Sequence, residues 1–220
     1  MKTLEGTDVH RMAMTYEDYL TYGDSETRTE WVDGEAIVYM PPRDEHQTIL
    51  EFLYALLRLY TDMKKLGRVR IAPFEVKLWE NGPSREPDLV YISTKKLKNL
   101  SSKRFSGAPD LAIEVISPGS LYIDRRDKLR EYEKAGVGEY WIIDSRPDNE
   151  RADFYRLDSE ERYELFATEA DEKIVSTALK GFWLRPTWVW REPPLSPLTA
   201  LTEVVGKDAL IASLNAEDES

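Results

Sequence analysis

The chain has 220 residues, 41% of them hydrophobic and 32% charged, enough to bury a core without staples, and one main domain is the expectation for this length. Its 30 Lys and Arg against 41 Asp and Glu give a formal net charge of −11, which disfavours a non-specific nucleic-acid coat or a polybasic membrane binder while leaving a locally basic face open. Zero cysteines exclude disulfides, a thiol nucleophile and Cys-ligated zinc or iron–sulfur sites.

Met1 to Met14 carries Glu5, Asp8 and His10 and no apolar run, so neither a signal peptide nor an anchor is expected there. No window reaches the roughly 18 apolar residues of a membrane span, and a cytoplasmic protein is expected. Thr15-Tyr-Glu-Asp-Tyr-Leu20 reads as a short helix with Thr15 as N-cap. Arg28 to Met40 reads as a hairpin about Asp33-Gly34. From Asp44 to Lys65 the residues Ile49, Leu50, Phe52, Leu53, Leu56, Leu57 and Tyr60 recur at helical spacing, with Gly67 as the stop.

Three apolar runs, Val69 to Trp79, Asp88 to Ser93 and Asp110 to Ile116, read as strands of one sheet. The last of them is apolar on both faces except at Glu114, so it is predicted to be central, with one carboxylate forced into a buried setting. A charged helix over Asp124 to Ala135 with Leu129 and Tyr132 inward, and a strand over Glu139 to Asp144, complete an α/β layer with a mixed sheet and one crossover helix. Ala152 to Leu157 and Arg162 to Ala167 form an added hairpin. Trp183, Trp188 and Trp190 seal one end of the core. After Pro193-Pro194, Leu198 to Leu214 reads as one amphipathic helix, an appendage that packs on a second subunit. The division expected is a domain over 1–190 and an appendage over 191–220.

The constellation with chemical content is Asp88 at the start of one strand, Glu114 inside the next, and Lys128 on the following helix. Two carboxylates on one sheet edge repel unless a cation neutralises them. A divalent ion with hard oxygen ligands, Mg²⁺ or Mn²⁺, suits them, and two histidines in the whole chain disfavour zinc. The other readings of the same residues stay open: Asp88 as an exposed turn acid, Glu114 paired with Arg125 or Arg70, Lys128 in a surface i,i+4 pair with Asp124, and His46 as a cap of its helix. Lys95, Lys96, Lys98, Lys103 and Arg104 form a basic run without an acid between the two site-bearing strands, to which Arg125, Arg126 and Arg130 would add. The run is either a solvated face or a contact for a phosphate backbone.

Together, Glu30-Trp-Val-Asp-Gly-Glu35, Pro41-Pro42 followed by His46-Gln47, Glu86-Pro-Asp-Leu-Val90, Leu111-Ala-Ile-Glu-Val-Ile-Ser-Pro118, Asp124 through Lys128-Leu129 to Glu139-Tyr-Trp-Ile-Ile-Asp144, and Gly181-Phe-Trp-Leu184 resemble the Uma2 (DUF820) family of the PD-(D/E)XK nuclease superfamily, from about Thr15 to Trp190. The resemblance implies a restriction-endonuclease-like α/β core with a central mixed sheet flanked by helices and hairpins added at both ends. It implies a metal-dependent endonuclease acting on DNA, with Asp88, Glu114 and the Val115 carbonyl as ligands to Mg²⁺ or Mn²⁺ and Lys128 as the catalytic lysine. Glu35 and His46 fall at the rim on the same ground. The superfamily places its lysine two residues after the acid; here that residue is Ile116, so the resemblance requires the amine to come from the next helix. Nucleic acid is the expected partner and a homodimer the expected assembly. The rivals are a catalytically inactive nuclease-fold module for nucleic-acid binding or assembly, and a metal-free hydrolase with paired carboxylates.

Overall fold

A computed structural model of the chain describes residues 9–22, 28–146 and 148–218, with side chains through 215; residues 1–8 of the polar leader and the end of the acidic tail lie outside them. Strand β1 (Val9–Ala13) precedes helix α1 (Tyr16–Tyr22). The predicted cap is present: Thr15 Oγ1 accepts the Asp18 amide at 3.1 Å and donates to the Asp18 carboxylate at 2.8 Å. Strands β2 (Thr29–Val32) and β3 (Glu35–Tyr39) form the predicted hairpin. Asp33 at φ 49° and Gly34 at φ 84° supply the two positive angles that match a tight turn to the strand twist.

Helix α2 (Asp44–Met63) buries the expected apolar stripe. Its stop is not Gly67 but Lys65, at φ 52°, and Gly67 opens strand β4 (Gly67–Ile71). Glycine is needed there because a Cβ would lie 2.1 Å from the carbonyl oxygen of Ile92 on the neighbouring strand. Gly67→Ala is therefore expected to cost about 1–3 kcal/mol, seen as a lower denaturation midpoint at unchanged slope.

The run Val69 to Trp79 is two strands rather than one. Pro73 breaks it, and β5 (Glu75–Lys77) joins a different sheet from β4. Next come β6 (Ser84–Arg85), β7 (Leu89–Ser93), a 3₁₀ turn over Thr94–Asn99, β8 (Arg104–Ser106) and β9 (Leu111–Ile116). A π-helical turn, Ile123–Lys128, runs into α3 (Leu129–Ala135), which ends at Gly136 with φ 84°. The remaining elements are β10 (Glu139–Asp144), β11 (Arg151–Leu157), β12 (Tyr163–Thr168), β13 (Ile174–Val175), β14 (Trp183–Leu184), α4 (Pro197–Val205) and α5 (Lys207–Asp218).

The central sheet has the order β12-β11-β10-β9-β7-β4. Only β9 and β10 are parallel, joined by the crossover through α3; the other neighbours are antiparallel. The predicted C-terminal hairpin is present as β11 and β12, and it widens this sheet. Strand alternation sorts β9 onto two cores. Leu111, Ile113 and Val115 face α2 and the closing segment with Trp141 and Phe182. Ala112 and Ile116 face the other way, against Tyr132 and Val137 and the second sheet's Val76 and Phe105. Glu114 shares that second face. The second sheet has the order β1-β3-β2-β6-β5-β8 and takes in the N-terminal hairpin.

The segment after Pro194 is two helices, α4 and α5, parted at Gly206. Leu195, Ala200 and Leu201 lie in the main core with α2, so α4 packs on its own chain.

Candidate active site

Each acid of the site is aimed by the strand that carries it. Asp88 sits just ahead of β7, where its Oδ2 accepts the Val115 amide of the adjacent strand at 2.7 Å. That bond ties the two site strands together. Glu114, fully buried on β9, points at a helical face built from residues four apart: Asp124, Lys128 and Tyr132. Lys128 Nζ lies 2.8 Å from Glu114 Oε1 and 3.1 Å from Asp124 Oδ1, and the Tyr132 hydroxyl donates to the same Glu114 oxygen at 3.1 Å. Lys128 thus points inward. Its pair with Asp124 exists, but in the interior rather than at the surface.

Three groups that sequence reasoning did not single out complete the cluster. Glu30 of β2 takes Lys128 at 3.0 Å, Arg85 at 2.8 Å and the Tyr39 hydroxyl at 2.6 Å. Arg85 also grips Glu131 with two bonds of 2.7 Å. Arg28, just before β2, spans the two expected ligands: Nη1 lies 2.5 Å from Asp88 Oδ1 and Nη2 lies 3.0 Å from Glu114 Oε2. These partners are 60 and 86 residues from Arg28 in sequence. A motif-level signal existed for Glu30, a charged residue in a strand alternating with apolar ones; nothing local marked Arg28. Neither Arg125 nor Arg70 is the partner of Glu114.

His46 lies in the first turn of α2 and is buried. Its Nε2 is 3.3 Å from Asp88 Oδ2, and its Nδ1 has no hydrogen-bond partner. It is a neighbour of the site, not a cap. Glu35 is not brought to the site: at the turn end of the hairpin it pairs with Arg11 at 3.2 Å, and its side chain is 47% exposed.

The basic run is also placed elsewhere. Asp88 precedes β7 and residues 94–104 follow it, so a strand of five residues, about 17 Å long, separates them along the sheet. Lys95, Lys98 and Lys103 are exposed there, Lys96 pairs with Asp110 at 3.3 Å, and Arg104 pairs with Glu75 at 3.2 Å. The sequence places this run between the site strands; the sheet places it at their far end. Arg125 and Arg126 line a different cleft of about 600 Å³ with Tyr122, Asp144, Arg146 and Arg151. A smaller cavity of about 90 Å³, lined by Arg43, His46, Ser117, Pro118, Ser145 and Arg146, opens beside His46 at the C-terminal ends of the two parallel strands, the place where open α/β sheets bind ligands.

The electrostatics is unbalanced. Glu30, Glu86, Asp88, Glu114, Asp124 and Glu131 face Arg28, Arg85 and Lys128. Burial pushes the Glu114 carboxyl up to about 8, with Asp124 and Asp88 adding to it and Lys128 only partly opposing. Burial and Glu30 push Glu86 up to about 7. Burial works against the ionised Asp88 too, but Arg28 and His46 outweigh it and hold this carboxyl below its ordinary range; Lys128, Arg85 and Arg28 do the same for Glu30. A raised carboxyl is tolerated best while protonated, so its stabilisation is lost as pH climbs through the folded value; a lowered one stabilises only above its unfolded value. The metal-free protein is therefore expected to lose stability progressively from pH 4.5 up to about 7 from Glu86 and up to about 8 from Glu114, and again on acidification below 3.8 to 4.5 as Asp88 and Glu30 take up protons. Melting temperature measured across pH 3 to 9 checks this; a curve that stays level between pH 5 and 8 would contradict it. By contrast, the buried Glu139 accepts from Trp141, Ser176, Thr177 and Ala178 and braces β10 to the segment beyond β13.

Asp88 Oδ1 and Glu114 Oε2 converge on a single cationic group. That donor set, two carboxylates, suits Mg²⁺, which commonly binds through one or two carboxylates with waters and substrate oxygens completing its shell. Among the described residues no cluster of three or more His, Cys, Asp or Glu is arranged to hold an ion, so the backbone carbonyl of Val115 would be needed as a further protein donor.

The family model described as "Putative restriction endonuclease", Uma2, matches residues 16–187, and the chain belongs to that family. Among solved structures, a "putative nuclease belonging to DUF820" from Anabaena variabilis superposes with a TM-score of 0.61 at 18% identity, covering 87% of this chain and 99% of that one; at that identity the likeness is one of fold. No curated protein matches the chain. No helix among the described residues is long and apolar enough to cross a membrane.

Proposed function

We propose that the chain is an endonuclease that hydrolyses phosphodiester bonds, with DNA as substrate, in the cytoplasm. The observation that carries this is the convergence of Asp88 and Glu114 from neighbouring strands, in a family described as "Putative restriction endonuclease", on a buried cluster whose carboxylates outnumber its cations. Asp88, Glu114 and the Val115 carbonyl would hold Mg²⁺ or Mn²⁺. Such an ion, when bound, supplies Lewis acidity toward a phosphoryl oxygen and lowers the pKa of a bound water toward neutrality.

The chain's own groups do the rest. The three donors of Lys128 lie against Glu114, Glu30 and Asp124, so Lys128 acts on the reaction through Glu114: it partly offsets the cost of ionising that buried carboxyl and fixes its rotamer. The Asp88 bond to the Val115 amide holds the two ligand strands in register. His46, against Asp88 and lining the small cavity, is the group placed to relay a proton at the opening. Cleavage of both strands calls for two sites, and a homodimer supplies them.

A specific observation favours a second reading. Arg28 closes the gap between Asp88 and Glu114, as in a fold that retains the site and uses it only to bind nucleic acid or to assemble. One experiment separates them: supercoiled plasmid and labelled single-stranded and duplex oligonucleotides, DNA and RNA, incubated with Mg²⁺, Mn²⁺ or EDTA. Nicking that requires the divalent ion is expected. Cleavage undiminished by EDTA would overturn the metal-dependent reading, and binding without cleavage under all conditions would establish the second.

A further inference from the structure

Arg28 is the cation of the cluster with a way out. Its side chain is 21% exposed, whereas those of Lys128 and Arg85 are 0% and 1%. Its guanidinium is a fork laid across the two acids: Nη1 on Asp88 Oδ1, Nη2 on Glu114 Oε2, and Nη2 also donating to the Glu86 carbonyl at 2.8 Å. The Tyr39 ring lies 4.8 Å from the guanidinium carbon, and Glu30 Oε1 is 4.0 Å away. One nitrogen of the group, Nε, is buried without a hydrogen-bond partner, so this seat is less than ideal for a guanidinium. A single positive charge there still leaves carboxylates in excess of cations.

We propose that Arg28 is a resident cation occupying the place of the divalent ion: it holds Asp88 and Glu114 together in the metal-free protein, competes with the ion for both, and is displaced toward solvent when the ion binds. This rests on the metal-site reading given above. Two positive charges replace one, the two carboxylates are both ionised, and the displaced guanidinium emerges at the site opening, where a phosphodiester would meet its planar pair of donors. A ligand that must displace a tethered competitor binds with an affinity reduced by the fraction of time the seat is free, so the competition makes metal loading weak until substrate phosphate draws Arg28 away. Arg28 is then a positioning and specificity-setting residue rather than one that touches the reacting atoms in the metal-free state.

The test is Mn²⁺ binding to the full chain without nucleic acid, read as loss of the free-ion EPR signal, for the native protein and for Arg28→Gln, Arg28→Lys and Asp88→Asn. Arg28→Gln is expected to bind Mn²⁺ at least about tenfold more tightly than the native chain, Arg28→Lys to fall between them, and Asp88→Asn to lose binding. A second measurement needs no folded variant other than the conservative lysine: in arginine-¹⁵N-labelled native protein, the Nε–H resonance missing from Arg28→Lys is expected to shift and exchange faster with solvent as Mg²⁺ is added. Equal or weaker binding in Arg28→Gln, with Asp88→Asn still abolishing it, would overturn the role of Arg28 and leave the metal site standing. Absence of Mn²⁺ binding in every protein, or binding that ignores Asp88→Asn, would overturn both. An Arg28 resonance unmoved at saturating Mg²⁺ would overturn the displacement.

Discussion

Lys128→Ala is expected to cost about 3–5 kcal/mol of folding stability in urea denaturation at pH 7.5, the range for removing one partner of a buried ion pair. The size follows from what is left behind. Glu114, Glu30 and Asp124 lie 2.8, 3.0 and 3.1 Å from the ammonium, all essentially without solvent exposure, and they would then face one another across a cavity. For a domain whose whole stability is of the order of 10 kcal/mol, that is a large fraction. The deficit should shrink toward pH 5, because protons can take the place of the lost ammonium on the stranded carboxylates. A deficit that stays constant from pH 5 to 8 would point to lost packing of the lysine stem instead of lost charge. Lys128→Met, which restores most of the stem, separates the two in the same titration: it repairs a packing loss and leaves a charge loss in place.

Glu114→Gln is expected to lower divalent-dependent cleavage by on the order of a thousandfold, comparable to losing one member of a catalytic constellation, while keeping the fold. The glutamine can still accept from Lys128 and Tyr132 through its amide oxygen. It no longer carries the charge whose burial pushes Glu114 up to about 8, so above that pH the metal-free variant should melt no lower than the native chain. Loss of activity and retention of stability above pH 8 must appear together. A variant that is inactive because it is unfolded would be seen at once in its melting curve. One that keeps full cleavage would remove Glu114 from the chemistry altogether. Asp88→Asn makes a useful companion: the same loss of cleavage is expected, but with lower stability, since Asp88 is ionised and stabilising in the native chain.

Much of this molecule is legible in local sequence because the governing forces are local. Asp33-Gly34 provides the backbone angles of a turn wherever it falls, and the helical spacing of Ile49 to Tyr60 gives α2 its buried stripe. A lone carboxylate in Leu111-Ala-Ile-Glu-Val-Ile116 signals a buried charge in need of a partner before any partner is known. Family-level pattern carried Lys128 as well, and its aim at Glu114 is a matter of α3 and its π-helical lead-in crossing back over β9, with Asp124, Lys128 and Tyr132 at intervals of four on one face.

What remained hidden is what depends on how distant segments are laid side by side. Pro73 ends β4's run and β5 lies in another sheet, which brings β6 with Arg85, β2 with Glu30, and Arg28 just ahead of β2, over the acids. No periodicity records an ion pair between residues 60 or 86 positions apart. The same topology carries the basic run to the far end of β7, since a loop between two antiparallel site strands must sit opposite the end where the acids meet. The amino-acid order alone determined that there would be an α/β core holding a buried carboxylate on a central strand, because alternation, helical spacing and turn chemistry are decided over a few residues. Which charges answer that carboxylate was decided only by the tertiary structure, because the interaction between buried charges depends on distances and solvent exclusion that exist only once the sheets and helices have packed.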